Sequence, residues 1–184
     1  DAEGAEETQG FDAVIGNPPW VALSGKFGVD TISRSEIQYM LQRFSGNSYM
    51  PNLFEHFIAQ SLNLLKIGGF HSFIVPDRLA FNKQYAALRK RILGETTISS
   101  LYFKAPFPGI IADTLVYVFQ RNPHGNDASL VLVTEHDKPP QQVPQSFFKS
   151  TTDTTFQYNR NAPLAGMFDR IDRNPTMTRL SELC

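Results

Sequence analysis

The chain of 184 residues contains one cysteine, Cys184, so no disulfide can form within it, and we expect a reducing, cytoplasmic location. No apolar run reaches the roughly 20 residues that cross a membrane, and the acidic stretch 1–7 lacks the pattern of a signal peptide. We therefore expect no membrane partner. The formal net charge is −1, from 17 basic and 18 acidic residues, which gives no support to bulk affinity for nucleic acid. A nucleic-acid partner would need a locally basic face or a missing partner segment.

Metal-ligand spacings and phosphate-binding loops are also lacking. The four histidines show no spacing typical of a metal site, and no histidine or cysteine pair is placed for nucleophilic catalysis. No Gly-x-x-x-x-Gly-Lys loop is present either. Zinc enzymes, thiol proteases and P-loop ATPases are therefore poor hypotheses, and we expect no metal. The four histidines of the chain are His56, His71, His124 and His136.

What is present is a short apolar strand that stops at two prolines. Val14 and Ile15 favour a strand over residues 11–16, and the tetrapeptide Asn17-Pro18-Pro19-Trp20 follows it. The prolines cannot donate to a strand ladder and their φ angles are fixed, so the strand must end at Asn17. The sequence therefore predicts a stiff loop at the carboxyl end of a strand, which is where open α/β sheets bind ligands.

The side chains of this loop suit chemistry on an exocyclic amine. The amine of a heterocycle is a poor nucleophile, because its lone pair is delocalised into the ring. The side-chain oxygen of Asn17 and the carbonyl of Pro18 could accept its two hydrogens and favour the pyramidal nitrogen of the transition state. Trp20 could stack on the ring, and the rigidity of Pro19 would hold the acceptors in place. The alternative is a plain strand-terminating turn.

The Asn-Pro-Pro-Trp motif after an apolar strand resembles the catalytic motif of S-adenosylmethionine-dependent amino-methyltransferases. The largest such group is the adenine-N6 DNA methyltransferases, which include the modification part of type IIG restriction-modification enzymes. Later segments resemble this family in their order and spacing, so that the resemblance runs from Phe11 to Arg121. These segments are Asn52–Phe57, Leu64–Gly69, Phe73–Pro76, the helix at 84–93, Phe107-Pro108 and Leu115–Gln120.

The resemblance implies an α/β fold: a partial Rossmann-like methyltransferase sheet that ends in an antiparallel hairpin, with an irregular C-terminal extension. Residues 1–122 would be the catalytic half, and residues 123–184 an extension or linker that leads to a missing DNA-recognition domain. The implied partner is double-stranded DNA with a flipped adenine, and the implied cofactor is S-adenosylmethionine.

The resemblance also carries roles to three further residues. Phe107 would face the flipped base opposite the catalytic loop. Phe57 and Asn52 would be cofactor-binding residues: Phe57 would pack on the adenine of the cofactor, and Asn52 stands at the start of the same helix. For both phenylalanines the alternative is core packing, and Asn52 could simply be a helix N-cap.

The family's region between the catalytic loop and this helix lies near the DNA. In residues 21–51 we expect one helix, because Ile37, Met40, Leu41 and Phe44 share one helical face. Phosphate contacts by the basic residues are one interpretation, and solvated surface charges are the alternative. These basic residues are Lys26, Arg34 and Arg43.

Local patterns predict the remaining elements. A helix over 52–66 should end at Gly68-Gly69, and a helix over 84–93 should direct Tyr85, Leu88 and Ile92 inward. Cations at 89–91 would suit the dipole at the end of that second helix. Strands are predicted at 70–75, 97–103, 114–120 and 129–134, the third pairing antiparallel to the second, and a short helix is predicted at 164–171. The Pro- and Gln-containing stretch 122–150 is otherwise typical of a linker or an extended excursion.

One unit of the resembled family, the one that binds the methyl donor, has no counterpart in this sequence. The family binds its methyl donor with a Gly-rich loop after a first strand and an acidic residue after a second, and this unit is absent here. We expect it upstream of Asp1, so this chain alone should bind S-adenosylmethionine weakly and should not methylate. The edge of strand 11–16 should then be unpaired, which could allow a dimer.

The same motif serves glutamine-methylating and RNA-methylating enzymes. A non-catalytic module that binds DNA or a partner is the other alternative.

Overall fold

A computed structural model of the chain describes residues 9–23, 32–44, 52–106 and 112–158. It contains six strands, five α-helices and two single 3₁₀ turns within these ranges. The strands are β1 (Phe11–Gly16), β2 (Leu65–Pro76), β3 (Thr96–Phe103), β4 (Thr114–Arg121), β5 (Leu130–Glu135) and β6 (Gln141–Pro144). The helices are α1 (Arg34–Phe44), α2 (Leu53–Leu64), α3 (Arg78–Phe81), α4 (Ala86–Glu95) and α5 (Gln145–Ser150), with 3₁₀ turns at Lys83–Tyr85 and Thr152–Thr154.

The six strands form one mixed sheet in the order β1-β2-β4-β3-β5-β6. Strands β1 and β2 are parallel, as are β3 and β5, whereas β4 runs antiparallel to both β2 and β3. The carboxyl ends of β1, β2, β3 and β5 therefore lie at one edge of the sheet, here called the carboxyl edge. The predicted strand over residues 11–16 and the antiparallel pairing of β3 with β4 are confirmed.

One face of the sheet carries the core. Along β2 the side chains of His71, Phe73 and Val75 are buried, while Phe70 on the other face is 45% exposed. Helices α2, α4 and α5 supply the residues that pack on the buried face. Tyr85, Leu88 and Ile92 are buried there, as predicted. In the described ranges the opposite face shows exposed apolar side chains, such as Leu130 and Leu132.

The Gly68-Gly69 pair has a different role from the one we predicted. Helix α2 ends at Leu64, because Leu65 is already extended, and the two glycines lie inside β2. Gly68 has a φ of +79°, and the pairing of β1 with β2 shifts register here, from Phe11–Leu65 to Ala13–Phe70. A Cβ on Gly69 would lie 2.8 Å from the carbonyl oxygen of Phe11. Only glycine fits this close approach, so the pair forms a bulge rather than a helix end.

The stretch expected to be a linker or excursion contributes to the sheet. Strand β5 pairs parallel with β3, and β6 pairs with β5. The buried amide of Gln145 accepts from the backbone N–H of Ile98 at 2.7 Å and donates to the carbonyl of Thr96 at 2.9 Å. It satisfies backbone groups where the β3–β4 register shifts. The domain boundary at residue 122 stays a prediction, and the expected helix at 164–171 lies outside the described residues.

We predicted that Arg89 would be one of the cations near the carboxyl end of its helix, but it is buried and lies in the first turn of α4. Its side chain is 0% exposed, and its guanidinium donates to four carbonyl oxygens. Burial lowers the pKa of Arg89 to about 10, so it stays charged near neutral pH. The guanidinium thus joins α4 to α3 and to the 3₁₀ turn near the end of the described chain. The acceptors are Leu79 at 2.7 Å, Asn82 at 2.8 Å, Asp153 at 2.8 Å and Thr154 at 3.1 Å.

His71 makes the fold sensitive to acid. It is fully buried beside Phe73, Tyr117 and Phe119, and neither ring nitrogen has a hydrogen-bond partner in the described part of the chain. Burial lowers the pKa of His71 to about 4. Because the folded state resists protonation, stability is lost as the pH falls from the unfolded value near 6.5 toward 4. We expect His71 to account for about 2 kcal/mol of unfolding free energy lost between pH 7 and pH 5.

A His71→Phe variant should lose that part of the acid sensitivity. An aromatic ring still fills the site, but it has no nitrogen that can be protonated. Urea unfolding at both pH values measures the effect. His124→Gln, at an exposed histidine, is the matched control. Equal acid sensitivity in His71→Phe and the wild type would contradict the assignment.

Strand β1 lies at the end of the sheet, and within the described ranges no strand pairs with its outer edge. Ile15 on this strand is 79% exposed and Phe11 is 57% exposed. The expected dimer through this edge stays a prediction, which light scattering tests. Among the described residues, no helix is both long and apolar enough to cross a membrane.

Candidate active site

The tetrapeptide Asn17-Pro18-Pro19-Trp20 follows β1 directly at the carboxyl edge. The loop is held by its neighbours at several points. The indole Nε1 of Trp20 donates to the carbonyl of Ile74, on β2, at 3.3 Å. The N–H of Leu53, the first residue of α2, donates to the carbonyl of Val21 at 2.8 Å, and Ala22 forms a β-bridge with Asn52. Contacts to β2 and α2 thus make the loop a preorganised part of the sheet edge.

Burial alternates along the loop. Pro18 is buried, whereas Asn17 and Pro19 are exposed. Trp20 is half-buried and packs against the core. The Asn17 amide can therefore meet a ligand from solvent, while Pro18 and Trp20 are packed into the protein. The roles assigned to these four residues stay predictions.

Asn52 and Phe57 lie on the helix that anchors the loop. Asn52 is the N-cap of α2, since its side-chain oxygen accepts from the N–H of Phe54 at 3.4 Å, and it is 3% exposed. The N-cap alternative is thus confirmed, and a cofactor role for Asn52 stays a prediction. Phe57 is 44% exposed, so the core-packing alternative for Phe57 is wrong. Its ring is accessible to a ligand or to another segment of protein.

Phe107 lies outside the described residues, as does Lys26. The ends of the loop that carries Phe107 are described, and they are held together at the carboxyl edge. The N–H of Lys104 donates to the carbonyl of Thr114 at 2.7 Å, and the Thr114 hydroxyl donates to the carbonyl of Ala105 at 2.7 Å. This loop therefore starts and ends at the same edge as Asn17.

A charged network at this edge escaped the sequence analysis. Glu135, at the end of β5, is almost fully buried and accepts from Lys104 at 2.8 Å, Lys138 at 2.7 Å and the Tyr158 hydroxyl at 2.7 Å. Hydrogen bonds from these groups, that of Lys104 foremost, lower the pKa of Glu135 to about 2. The one feature of the sequence that could have indicated this network is a carboxylate, Glu135, at the end of an apolar strand. Lys138 lies only three residues along the chain from Glu135, but Lys104 and Tyr158 come from distant segments, which local patterns do not connect.

Asp77 is a second acidic residue at this edge that the sequence analysis did not single out. It follows Pro76 at the end of β2 and stands at the N-cap of α3, but its side chain does not cap that helix. Burial, and then the nearby Asp113 carboxylate, raise the pKa of Asp77. The backbone N–H of Asp77 donates to the carbonyl of Asp113 at 3.0 Å, which ties β2 to the start of β4.

The described residues offer only part of a site for S-adenosylmethionine. Phe57 is an exposed aromatic side chain that could pack on an adenine ring. No strand in the described ranges is followed by a Gly-rich loop, and β1 leads into two prolines instead. Within the described ranges, the residues therefore form only part of a cofactor site. In the same ranges, no group of three or more His, Cys, Asp or Glu side chains could hold a metal ion.

Comparisons with known proteins agree with this geometry. The profile of the family described as Eco57I restriction-modification methylase matches residues 2–106, more than half of the chain. RM.MjaORFECS2P of Methanocaldococcus jannaschii, described as a type II restriction enzyme and methyltransferase, is 26% identical over 166 residues, which cover 88% of this chain and 13% of that protein.

Two solved structures share the fold. The type IIG restriction endonuclease BpuSI has a TM-score of 0.58 at 14% identity, over 85% of this chain and 22% of that chain. A protein of Listeria monocytogenes described as a class I S-adenosylmethionine-dependent methyltransferase has a TM-score of 0.51 at 17% identity, over 69% of this chain and 38% of that chain. This chain thus spans less than half the length of each of these proteins. By its sequence match over residues 2–106, the chain belongs to the Eco57I restriction-modification methylase family.

Proposed function

We propose that this chain carries the catalytic loop of a DNA methyltransferase that methylates the exocyclic amine of adenine. The observation that carries the proposal is the Asn17-Pro18-Pro19-Trp20 loop at the carboxyl end of β1, with Asn17 exposed, Pro18 buried, and Trp20 and Val21 held by β2 and α2. Membership of the Eco57I family supports restriction-modification as the setting. The name of the Methanocaldococcus relative, a restriction enzyme and methyltransferase, supports DNA as the substrate.

The chemistry follows from the acceptors of the loop. The side-chain oxygen of Asn17 and the carbonyl of Pro18 accept the two amine hydrogens and stabilise the nitrogen as it becomes pyramidal. Trp20 restricts the ring, and its own indole is held by the carbonyl of Ile74. Phe107 contacts the base from the opposite side, on a loop whose two ends meet at the same edge. S-adenosylmethionine supplies the methyl group.

The base must leave the DNA stack to reach this loop. Flipping costs a few kcal/mol, and aromatic walls around the extruded base offset part of that cost. The partners proposed here are therefore double-stranded DNA with a flipped adenine, and the parts of the same protein that complete the cofactor site and recognise the sequence. Phe57 packs on the cofactor adenine in this proposal, because its ring is accessible on α2.

The test is identification of the methylated product. The full-length protein is incubated with labelled S-adenosylmethionine and duplex DNA of mixed sequence, and the DNA is digested to nucleosides for mass spectrometry. We expect N6-methyladenine from the full-length protein, and no product from the 184-residue chain, whose described residues offer only part of a cofactor site. Product from the isolated chain would contradict the second expectation.

The same assay separates the alternatives. Label in N4-methylcytosine would correct the target base. Label transferred only to RNA or to protein glutamine would reject DNA as the substrate. No transfer to any of these substrates would favour a non-catalytic binding module.

A further inference from the structure

We propose that Glu135 and Lys104 are positioning residues for methyl transfer, because they hold the start of the loop that leads to Phe107. This loop joins β3 to β4, from Lys104 to Asp113, and is here called the β3–β4 loop. The proposal rests on the proposed function, since it gives the two residues an effect on the base contact assigned to Phe107. The burial of the carboxylate, the backbone of Lys104 and the ties between the two ends of the loop carry it.

The carboxylate of Glu135 is a fixed point of the carboxyl edge. Glu135 is the last residue of β5, which pairs with β3 so that Glu135 stands beside Phe103, the residue before the β3–β4 loop. The residue is 4% exposed, and the Tyr158 hydroxyl donates to its Oε2 at 2.7 Å. A buried carboxylate is costly to leave without partners. The cations that reach it are therefore held in place.

Lys104 is held at both its side chain and its backbone. Its Nζ lies 2.8 Å from Oε1 of Glu135, and its backbone N–H donates to the carbonyl of Thr114 at 2.7 Å. Its φ angle is +55°, in the left-handed region that lysine rarely adopts. Such a conformation persists where neighbouring contacts impose it, and it is common at functional sites. The ion pair with Glu135 thus helps to set the direction in which the chain leaves β3.

The two ends of the β3–β4 loop are tied to each other and to β2. The Thr114 hydroxyl donates to the carbonyl of Ala105 at 2.7 Å. The carbonyl of Asp113 accepts from the backbone N–H of Asp77, which follows β2, at 3.0 Å. A displacement at the start of the loop therefore changes the point from which the chain reaches Phe107, a few residues later.

Lys138 provides a comparison within the same network. Its Nζ lies 2.7 Å from Oε2 of Glu135, and its side chain is 50% exposed, against 49% for Lys104. The two lysines thus make similar contacts with the same carboxylate, but only Lys104 belongs to the β3–β4 loop. A purely structural network would make the two lysines equivalent. A positioning role makes only Lys104 matter for the reaction.

The experiment compares Lys104→Met with Lys138→Met in the full-length protein. Single-turnover rates of methyl transfer are measured at saturating DNA and S-adenosylmethionine, and melting temperatures are measured in parallel. Lys104→Met should lower the rate by about 10- to 100-fold, because small displacements of a positioned group have effects of this size. Lys138→Met should leave the rate unchanged, although both variants should shift the melting temperature by a similar amount.

Two further variants test the ion pair itself. Lys104→Arg should restore part of the rate, because arginine can still pair with Glu135. Glu135→Gln should lower the rate as Lys104→Met does, because the amide carries no charge. If Glu135→Gln does not fold, the comparison of the two lysine variants decides the matter. Equal rates in Lys104→Met and Lys138→Met, or a Lys104→Met rate equal to that of the wild type, would overturn the proposal.

A double-mutant cycle tests whether Lys104 acts through Phe107. In a Phe107→Ala background, Lys104→Met should have little further effect, because the group that it positions has been removed. Additive losses would contradict the positioning role. These comparisons use ratios of rates and hold for any methylated base. Absence of all methyl transfer by the wild type is instead the failure of the proposed function, and it is seen before any variant is compared.

The salt dependence of DNA binding separates positioning from a direct contact. If the Lys104 ammonium bound a phosphate, Lys104→Met would make the slope of log K against log salt shallower by about 0.9. We expect an unchanged slope, because the ammonium is held by Glu135. A shallower slope with an unchanged rate at saturating DNA would replace the positioning role with a phosphate contact.

Discussion

Replacing Asn17 by alanine should lower methyl transfer by the full-length protein by at least about 100- to 1,000-fold. The side-chain oxygen of Asn17 is one of two acceptors that stabilise the amine as it attacks, and alanine offers no replacement. The fold should not suffer, because Asn17 is exposed at the end of β1. Surface changes of this kind usually alter the free energy of unfolding by less than about 0.5 kcal/mol.

Rates under single-turnover conditions, with saturating DNA and S-adenosylmethionine, measure this effect directly. Asn17→Asp keeps an acceptor oxygen at the same place and should restore part of the rate. Asn63→Ala, at an exposed asparagine near the far end of α2, is the matched control and should leave the rate unchanged. An Asn17→Ala rate within a few-fold of the wild type would refute the assigned role.

Replacing Arg89 by methionine should destabilise the fold by about 3–5 kcal/mol. Methionine fills a similar volume, but it leaves four carbonyl acceptors, one buried and three part-buried, without their donors. Domains of this size are stable by only about 5–15 kcal/mol, so the loss is a large fraction of the total stability. The destabilisation should extend beyond α4, because the guanidinium joins α4 to α3 and to the turn at 152–154.

Urea unfolding followed by circular dichroism measures the change. Lys90→Met, at the exposed neighbour on the same helix, is the control and should stay within about 0.5 kcal/mol of the wild type. If Arg89→Met does not fold, Arg89→Lys provides the measurable variant, because it keeps the charge but offers fewer donors with a shorter reach. Stability of Arg89→Lys equal to that of the wild type would show that the four contacts contribute nothing.

Local patterns in the sequence were enough to predict several features of the site. The strand over residues 11–16 follows from its β-branched residues, and its end follows from two prolines, which no tertiary contact can override. Helical periodicity predicted that Tyr85, Leu88 and Ile92 face the core, and they are buried. The resemblance over residues 11–121 indicated the family, because motif order and spacing are properties of the chain itself.

Only the tertiary structure decided the roles of the two adjacent glycines, the buried arginine and the last two strands. Gly68-Gly69 forms a bulge against β1 because the backbone of Phe11 approaches it closely, and no local pattern records that distance. Arg89 is buried, although it lies in a run of cations, because carbonyl groups from two distant segments converge on it. Strand β5 joins the sheet by pairing with β3, a segment about thirty residues earlier in the chain, and β6 joins it by pairing with β5.

The division has one physical cause. Propensity, periodicity and proline chemistry act over a few residues, so the sequence by itself determined the elements and the place of the Asn17-Pro18-Pro19-Trp20 loop at the end of β1. Burial and hydrogen bonding depend on which distant segments meet. The tertiary structure therefore decided the exposure of Phe57, the anchoring of Trp20 on Ile74 and the network around Glu135.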